Sequence, residues 1–418
     1  MESMVKYRKR TIMNQPVSII PKVRINSIDA LRGFALLGIL LLHCMEHFDL
    51  GFRPQIDSPF WQKIDRIVVD TLSFLFQGKA YAIFSLLFGL SFFMMMDSQA
   101  EKGYDFRLRF LWRCVLLFVI GYINGLIYMG EFFIIYAMLG IILIPLYKAP
   151  TKALVILCVL LFLQIPQLIE FISLLTGKAP NAPTDLARKM GQLFRESSQT
   201  FLNGSVWDMF SFNMFKGQSA KMLWFINVYR YLQLAGLFIA GMLIGRSGIH
   251  KDPEKMVYWS KKIFFYATGW FLCFYIISWL LPTFGVEKYA LRVGTGLFKT
   301  YGNLGMMMMY ISGFIFLYYK TKGGRKVLDA LAPVGRMSVT NYMMQSIMGV
   351  LIFYGFGLGL AKQSYLICFL AGVVMCAFQI WYSNWWIKRF YYGPMEWLWR
   401  VLTWFRKTPL KRKNKEIL

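Results

Sequence analysis

Acidic residues are scarce in this sequence. It carries 21 Asp and Glu against 47 Lys and Arg, a net charge of +26, and only three His. Charged residues of both signs amount to 16% of the chain, while apolar residues reach 57%, aromatics 18% and mean hydropathy +0.47. That balance excludes an ordinary soluble domain. The six cysteines (Cys44, Cys114, Cys158, Cys273, Cys368, Cys376) lie in or beside apolar runs, with no C-x-x-C pair. Neither a zinc site nor a disulfide framework is therefore expected. A soft-metal site would need thiolates or a recurring Met spacing, and the run Met306–Met309 reads as packing, so no metal is expected. No G-x-x-x-x-G-K-[ST] loop occurs, which argues against ATP-driven work by this chain alone. No A-x-A-like cleavage site follows the first apolar run, so that helix is expected to persist as a signal anchor. An internal repeat of the inverted-transporter kind is also missing to the eye.

What the chain has instead is long apolar stretches. Windows of about 17–25 apolar residues suffice to cross a bilayer. They fall near 29–46, 80–96, 110–128, 131–148, 153–175, 223–245, 263–282, 295–319, 337–357 and 364–386, with 66–78 as a half-helix leading into the second. The expected fold is all-α, a polytopic bundle of about ten spans. Basic residues set its orientation. Segments 1–27, 246–262, 320–336 and the tail from 387 carry six, five, five and nine Lys/Arg. Segments 47–66, 283–294 and 358–363 carry three, two and one. Both termini are thus expected in the cytoplasm. The basic charge is read as topology and as attraction to anionic membrane lipids; no nucleic-acid motif accompanies it.

The organisation expected is a basic N-terminal segment (1–27), a first bundle of about five spans (28–175), a long extracytoplasmic loop (176–222), a second bundle (223–386) with its closing motif to 405, and a basic cytoplasmic tail (406–418). Within the loop, "FLNGSVWDMFSFNMF" is aromatic enough for an interfacial helix. It either covers the mouth of a site or merely connects two bundles.

Ionisable groups inside the spans point to function. In "DALRGFALLGILLLHCMEHFD", Arg32 and His43 are eleven residues apart, three helical turns plus about 20°, and so share a face about 16 Å long. Asp29 lies near that line, Glu46 and His47 extend it, and only Leu36 and Ile39 intervene. Each residue has a plain alternative: Asp29 at a positive helix end, Arg32 snorkelling to headgroups, and His43, Glu46 and His47 as a solvated helix end. Aligned together, they read as the lining of a polar cavity. Lys79 before the second span, Asn124 in the third, Glu131 opening the fourth and Arg230 in the sixth join them as substrate-binding candidates. So do Asn341 and Gln345, which share a face of "GRMSVTNYMMQS" with Ser338, although buried amides often only join helices.

The stretches "SIDALRGFALLGILL", "GKAYAIFSLLFGLSFF", "GEFFIIYAMLGIILIPL", "GRMSVTNYMMQS" and "FYYGPMEWLWRVLTW" together resemble the YeiB-like bacterial membrane proteins of the DUF418 family, over residues 24 to 405. "GPMEWLWR" is the most specific of them. The resemblance implies a multi-pass protein of the bacterial cytoplasmic (inner) membrane. That family often has Asn at the position of His43, His at that of Asn124 and Asp at that of Glu131.

The Arg-Gly pair followed by His eleven residues after the Arg also resembles, more distantly, the first span of integral-membrane acyltransferases. That resemblance implies an acyl-CoA donor on the cytoplasmic side, and an extracytoplasmic sugar or lipid-linked acceptor. Arg32, oriented by Asp29, would hold the donor, and His43, oriented by Glu46 or His47, would act as base. A transporter or flippase for a small anionic or lipid-linked solute would use Arg32, Lys79, Glu131 and Arg230 as pathway charges and need no imidazole. A scaffold that binds partners through its basic tail is a third reading.

Overall fold

The computed structural model describes residues 24–48, 50, 56–180 and 182–412. Most of the basic N-terminal segment and the last six residues of the tail lie outside the described residues. The first helix, α1 (Asn26–Met45), forms because Ala, Leu and Ile dominate the residues behind Asp29, a carboxylate in the first turn where the helix end is positive. It stops where His47 and Phe48 turn to left-handed φ of 49° and 54°. Two helices follow almost without a break, α2 (Pro59–Phe76) and α3 (Ala80–Ala100), joined at Gly78, whose φ of 83° only glycine adopts freely. Then come α4 (Arg107–Ile127), α5 (Phe133–Leu146), α6 (Thr151–Phe162) and α7 (Ile165–Leu175).

The long inter-bundle segment is helical too. It holds α8 (Asp185–Asn203) and α9 (Val206–Phe212), separated by a Ser205–Asp208 capping box, and runs through a π turn into α10 (Gln218–Asn227). A 76° bend at Val228 and Tyr229 leads to α11 (Arg230–Ser247). The chain closes with α12 (Pro253–Leu280), α13 (Lys288–Lys320), α14 (Lys322–Asp329), α15 (Ala332–Arg336), α16 (Ser338–Phe353), α17 (Tyr365–Arg389) and α18 (Pro394–Trp404).

Every segment read as a span is helical. Among the described residues six apolar helical runs are long enough to cross a membrane, or seven if the bent α9–α11 unit counts as one. The protein is an integral membrane protein. Helices α5 and α16, with 14 and 16 residues, are shorter than a bilayer requires. Helix α13 has 33 residues but carries Lys288, Arg292 and Lys299 in its first half. Burial separates the spans: 61% of the apolar window of α1 is enclosed, against 6% for the Pro253–Phe284 run, which packs on α13 and presents Phe265, Tyr266 and Trp279 outward.

Helix α1 is packed by α3, α15, α16 and α17. Its contact with α15 is backbone on backbone. A Cβ on Gly33 would stand 2.2 Å from the Leu331 carbonyl oxygen, and one on Gly335 1.9 Å from that of Asp29. This brings the "LRG" and "VGR" stretches together. Carboxylates from elsewhere in the chain then hold helix starts, where four amides lack partners. Asp65 accepts from Tyr365 N and Leu366 N (3.0 and 3.1 Å), and Glu396 accepts from Val339 N and Thr340 N (2.6 and 3.2 Å) and from the Thr340 hydroxyl. The "GPMEW" motif is thus the N-terminal clamp of α16.

Candidate functional site

The two polar ends of α1 have different surroundings. At the Asp29 end, one carboxylate gathers three guanidinium groups: Arg32 at 2.8 Å, Arg336 at 3.5 Å and Arg24 at 3.9 Å. Arg32 divides its fork, Nη1 donating to Asp29 Oδ1 and Nη2 to Ser91 Oγ at 2.8 Å. Asp29 and Arg32, three residues apart, are therefore in direct contact. Each terminal nitrogen already makes one bond, so a bound anion would be held by the surplus charge of the whole cluster.

At the other end lies a cavity of about 650 Å³. Helix α1 contributes Ile39, Leu42, His43 and Met45, and the turn after it contributes Glu46 and His47. Leu36, one turn below Ile39, is fully enclosed, and its carbonyl accepts from Gln345. The walls are aromatic: Tyr81, Phe84, Tyr128, Phe132, Phe133, Tyr136, Trp224, Tyr342 and Tyr365. Met190, Gly191 and Phe194 of α8 also line it, so the inter-bundle segment contributes to the cavity wall as well as joining two bundles.

His43 Nδ1 is 2.9 Å from the Tyr128 hydroxyl and 3.8 Å from Glu46 Oε2. Its Nε2 is buried and has no hydrogen-bond partner among the described residues. Such a nitrogen costs about 1–3 kcal/mol unless something outside the fold satisfies it. His47, turned by its left-handed φ, stacks on Tyr365 with ring centroids 4.9 Å apart. Arg230, the first residue of α11, lies over the Tyr81 and Trp224 rings and donates to the Tyr81 hydroxyl and to Gln233 Oε1. Lys221 of α10 also lines the cavity, and its Nζ is 3.4 Å from Glu131 Oε2. Glu131 sits behind that lysine, fully buried, and accepts from the Phe133 and Ile134 amides at the start of α5.

The structure gathers His43, Glu46, His47 and Arg230 around one cavity, with Glu131 reaching it through Lys221. The remaining candidates do not face it. Lys79 bonds the Phe74 carbonyl at 2.6 Å. Asn124 bonds Ser346. Asn341 bonds Ser383 and the Val334 carbonyl, and Gln345 bonds Gln379, so these amides join α16 to α17. Tyr128 and Lys221 were missed. Tyr128 stands four residues after Asn124, and Lys221 is a lone charge in "SAKMLWF"; both were visible signals at the edges of expected spans.

Residues 244–406 match the family described as protein of unknown function (DUF418). The uncharacterized protein YxaH of Bacillus subtilis (strain 168) is 29% identical over 94% of this chain and 97% of its own length. The uncharacterized protein YeiB of Escherichia coli (strain K12) is 28% identical over 90% of this chain and 95% of its own. The chain is thus similar to YeiB-like DUF418 proteins along nearly its whole length. No solved structure matches it. The family match takes in the Glu396 clamp, the Arg336 contact with Asp29 and the α16–α17 amide pairs. It therefore covers what braces α1, while most of the cavity lies before residue 244.

Proposed function

We propose that this protein transfers an acyl group, from an acyl-CoA approaching the Asp29 end of α1, to an acceptor held in the aromatic cavity at the His43 end. The orientation is the one read from the basic residues, with the termini cytoplasmic, the cavity toward the outside and the protein in the bacterial inner membrane. The supporting observation is the imidazole of His43, with Nδ1 held by Tyr128 beside Glu46 and Nε2 without a partner among the described residues, at an aromatic cavity. With Nδ1 protonated and donating, Nε2 carries the lone pair. It would take the proton of an acceptor hydroxyl as that oxygen attacks the thioester carbonyl. The new C–O bond forms, the C–S bond breaks, and the proton passes to the departing thiolate. The arginine cluster around Asp29, three positive charges on one negative, would attract the donor's phosphates.

The test is thermal unfolding of detergent-purified protein with acetyl-CoA, longer acyl-CoAs and free CoA, since a ligand of the folded state raises Tm once its concentration exceeds Kd. Stabilisation of wild type and His43→Ala but not Arg32→Ala is expected. Acceptor-dependent release of CoA should fall by roughly 100-fold or more in His43→Ala, the range for loss of a general base. Absence of any CoA effect on a well-folded sample sinks the proposal.

A transporter for an anionic or lipid-linked solute is the second reading. The 76° break between α10 and α11, with Lys221 and Arg230 on its two arms at the cavity, favours it, because broken helices commonly flank transport sites.

A further inference from the structure

Most enclosed cations in this protein meet something negative; Arg113, which has the Thr403 hydroxyl and the Trp399 ring, is an exception away from the cavity. Arg246 donates to the carbonyls of Tyr147 and Ala149 at the end of α5. Arg109 donates to that of Thr403 at the end of α18, Lys79 to that of Phe74 near the end of α2, and Arg412 to those of Ile387 and Phe390 at the end of α17. Helix C-termini carry partial negative charge, so each of these is favourable. Arg32 and Lys221 have carboxylates.

Arg230 departs from the pattern at the cavity itself. It opens α11, at the positive end of a helix, where a cation is disfavoured. Its acceptors, the Tyr81 hydroxyl and Gln233 Oε1, are neutral. Its Nε is buried without a hydrogen-bond partner, and no carboxylate pairs with it among the described residues. Lys221 brings a second cation to the same cavity, and His43, nine-tenths buried there, has its own unpartnered nitrogen. An enclosed charge with no counter-charge is costly unless a ligand supplies one.

We propose that the ligand of this cavity carries an anionic group, a phosphate or carboxylate, seated on Arg230 beside the N-terminus of α11, with its uncharged portion against Trp224 and Tyr81. This rests on the cavity being the acceptor site and narrows the acceptor to an acidic one. An anion there answers both the guanidinium and the helix end. Aromatic walls with a few convergent charges suit a headgroup of that kind joined to a ring or chain.

The full-length protein in detergent would be titrated with two matched pairs, phenyl phosphate against phenol and farnesyl phosphate against farnesol, following Tm and binding. Wild type should prefer the phosphate member of at least one pair by roughly tenfold or more, the range of a charge-assisted hydrogen-bond pair. Arg230→Gln should abolish that preference. Arg230→Lys, which keeps the charge and loses the fork, should retain part of it and decides the matter if the Gln variant does not fold. A preference confined to the farnesyl pair assigns the group to a lipid, and one shown by the phenyl pair to a soluble ligand. Equal binding of phosphate and alcohol, binding of neither phosphate, or an undiminished preference in both Arg230 variants overturns the proposal. A phosphate preference without any acyl-CoA effect leaves this site standing and removes acyl transfer. An Arg32-dependent acyl-CoA effect without the phosphate preference removes only this site.

Discussion

The two ends of α1 carry similar polar residues on one helix and use them in opposite ways. At the Asp29 end the polar groups meet within the fold, with positive charge in surplus: the carboxylate draws Arg24, Arg32 and Arg336 together, and Ser91 takes the other arm of Arg32. Two glycines allow the backbones of α1 and α15 to touch, and Glu396 clamps the start of α16 just beyond. At the His43 end the helix unwinds into a left-handed turn, and His43 Nε2 and Arg230 Nε are buried without partners among the described residues around an open volume. Polar groups satisfied within the fold stabilise it; polar groups left wanting are what a ligand completes. The comparison therefore gives the first end a structural role besides any anion its surplus charge attracts, and leaves the second to recognition.

Substitutions can break that contrast in a graded way. Asp29→Ala should have the largest effect on stability, about 3–5 kcal/mol, because it leaves three guanidinium groups without their shared carboxylate. Detergent thermal melts would show it, and a change below about 1 kcal/mol would remove the structural assignment of this end. Glu396→Ala should cost about 1–2 kcal/mol through loss of the α16 clamp. Glu396→Gln should recover part of that in the same melts. His43→Phe should change stability by no more than about 1 kcal/mol, since it removes an unpartnered nitrogen along with one hydrogen bond. It should nevertheless abolish any turnover, and a variant that is unstable but active would reverse the contrast.

The smallest effect belongs to a site away from both ends. The Arg107 side chain hydrogen-bonded to Asp105 lowers that carboxyl from 3.8 to about 2. A folded-state value below the unfolded one contributes stability above about pH 4, and this contribution is lost as pH falls toward 2. The pair is exposed and solvent screens it, so Asp105→Asn should scarcely move the melt at neutral pH. A large neutral-pH loss would show that surface ion pairs matter here as much as the Asp29 cluster.

Much of this was legible in the chain itself. Hydropathy placed helices at every expected span, because a segment passing through lipid must satisfy its own backbone and has only helix available in a sequence of this kind. The three-residue spacing of Asp29 and Arg32 brought them into contact, and the eleven-residue spacing put His43 at the far end of the same helix. Glu46 and His47 reached the cavity by another route, a turn that ends the helix, since a left-handed break after Met45 leaves no hydropathy signature. The reading of Asn341 and Gln345 as substrate contacts could not be separated from their reading as helix-joining amides until α17 was seen beside them.

The sequence by itself determined that this is a helical membrane protein with polar groups at both ends of its first span. Hydrophobic length and helical spacing are local properties, carried by residues a few positions apart. Only the tertiary structure decided which of those groups are mutually satisfied and which are not. Arg336 lies 307 positions from Asp29 and Arg230 lies 187 from His43, and no local pattern records such a meeting. Which end of α1 is completed by the fold, and which is left for something else to complete, is a property of how distant helices pack.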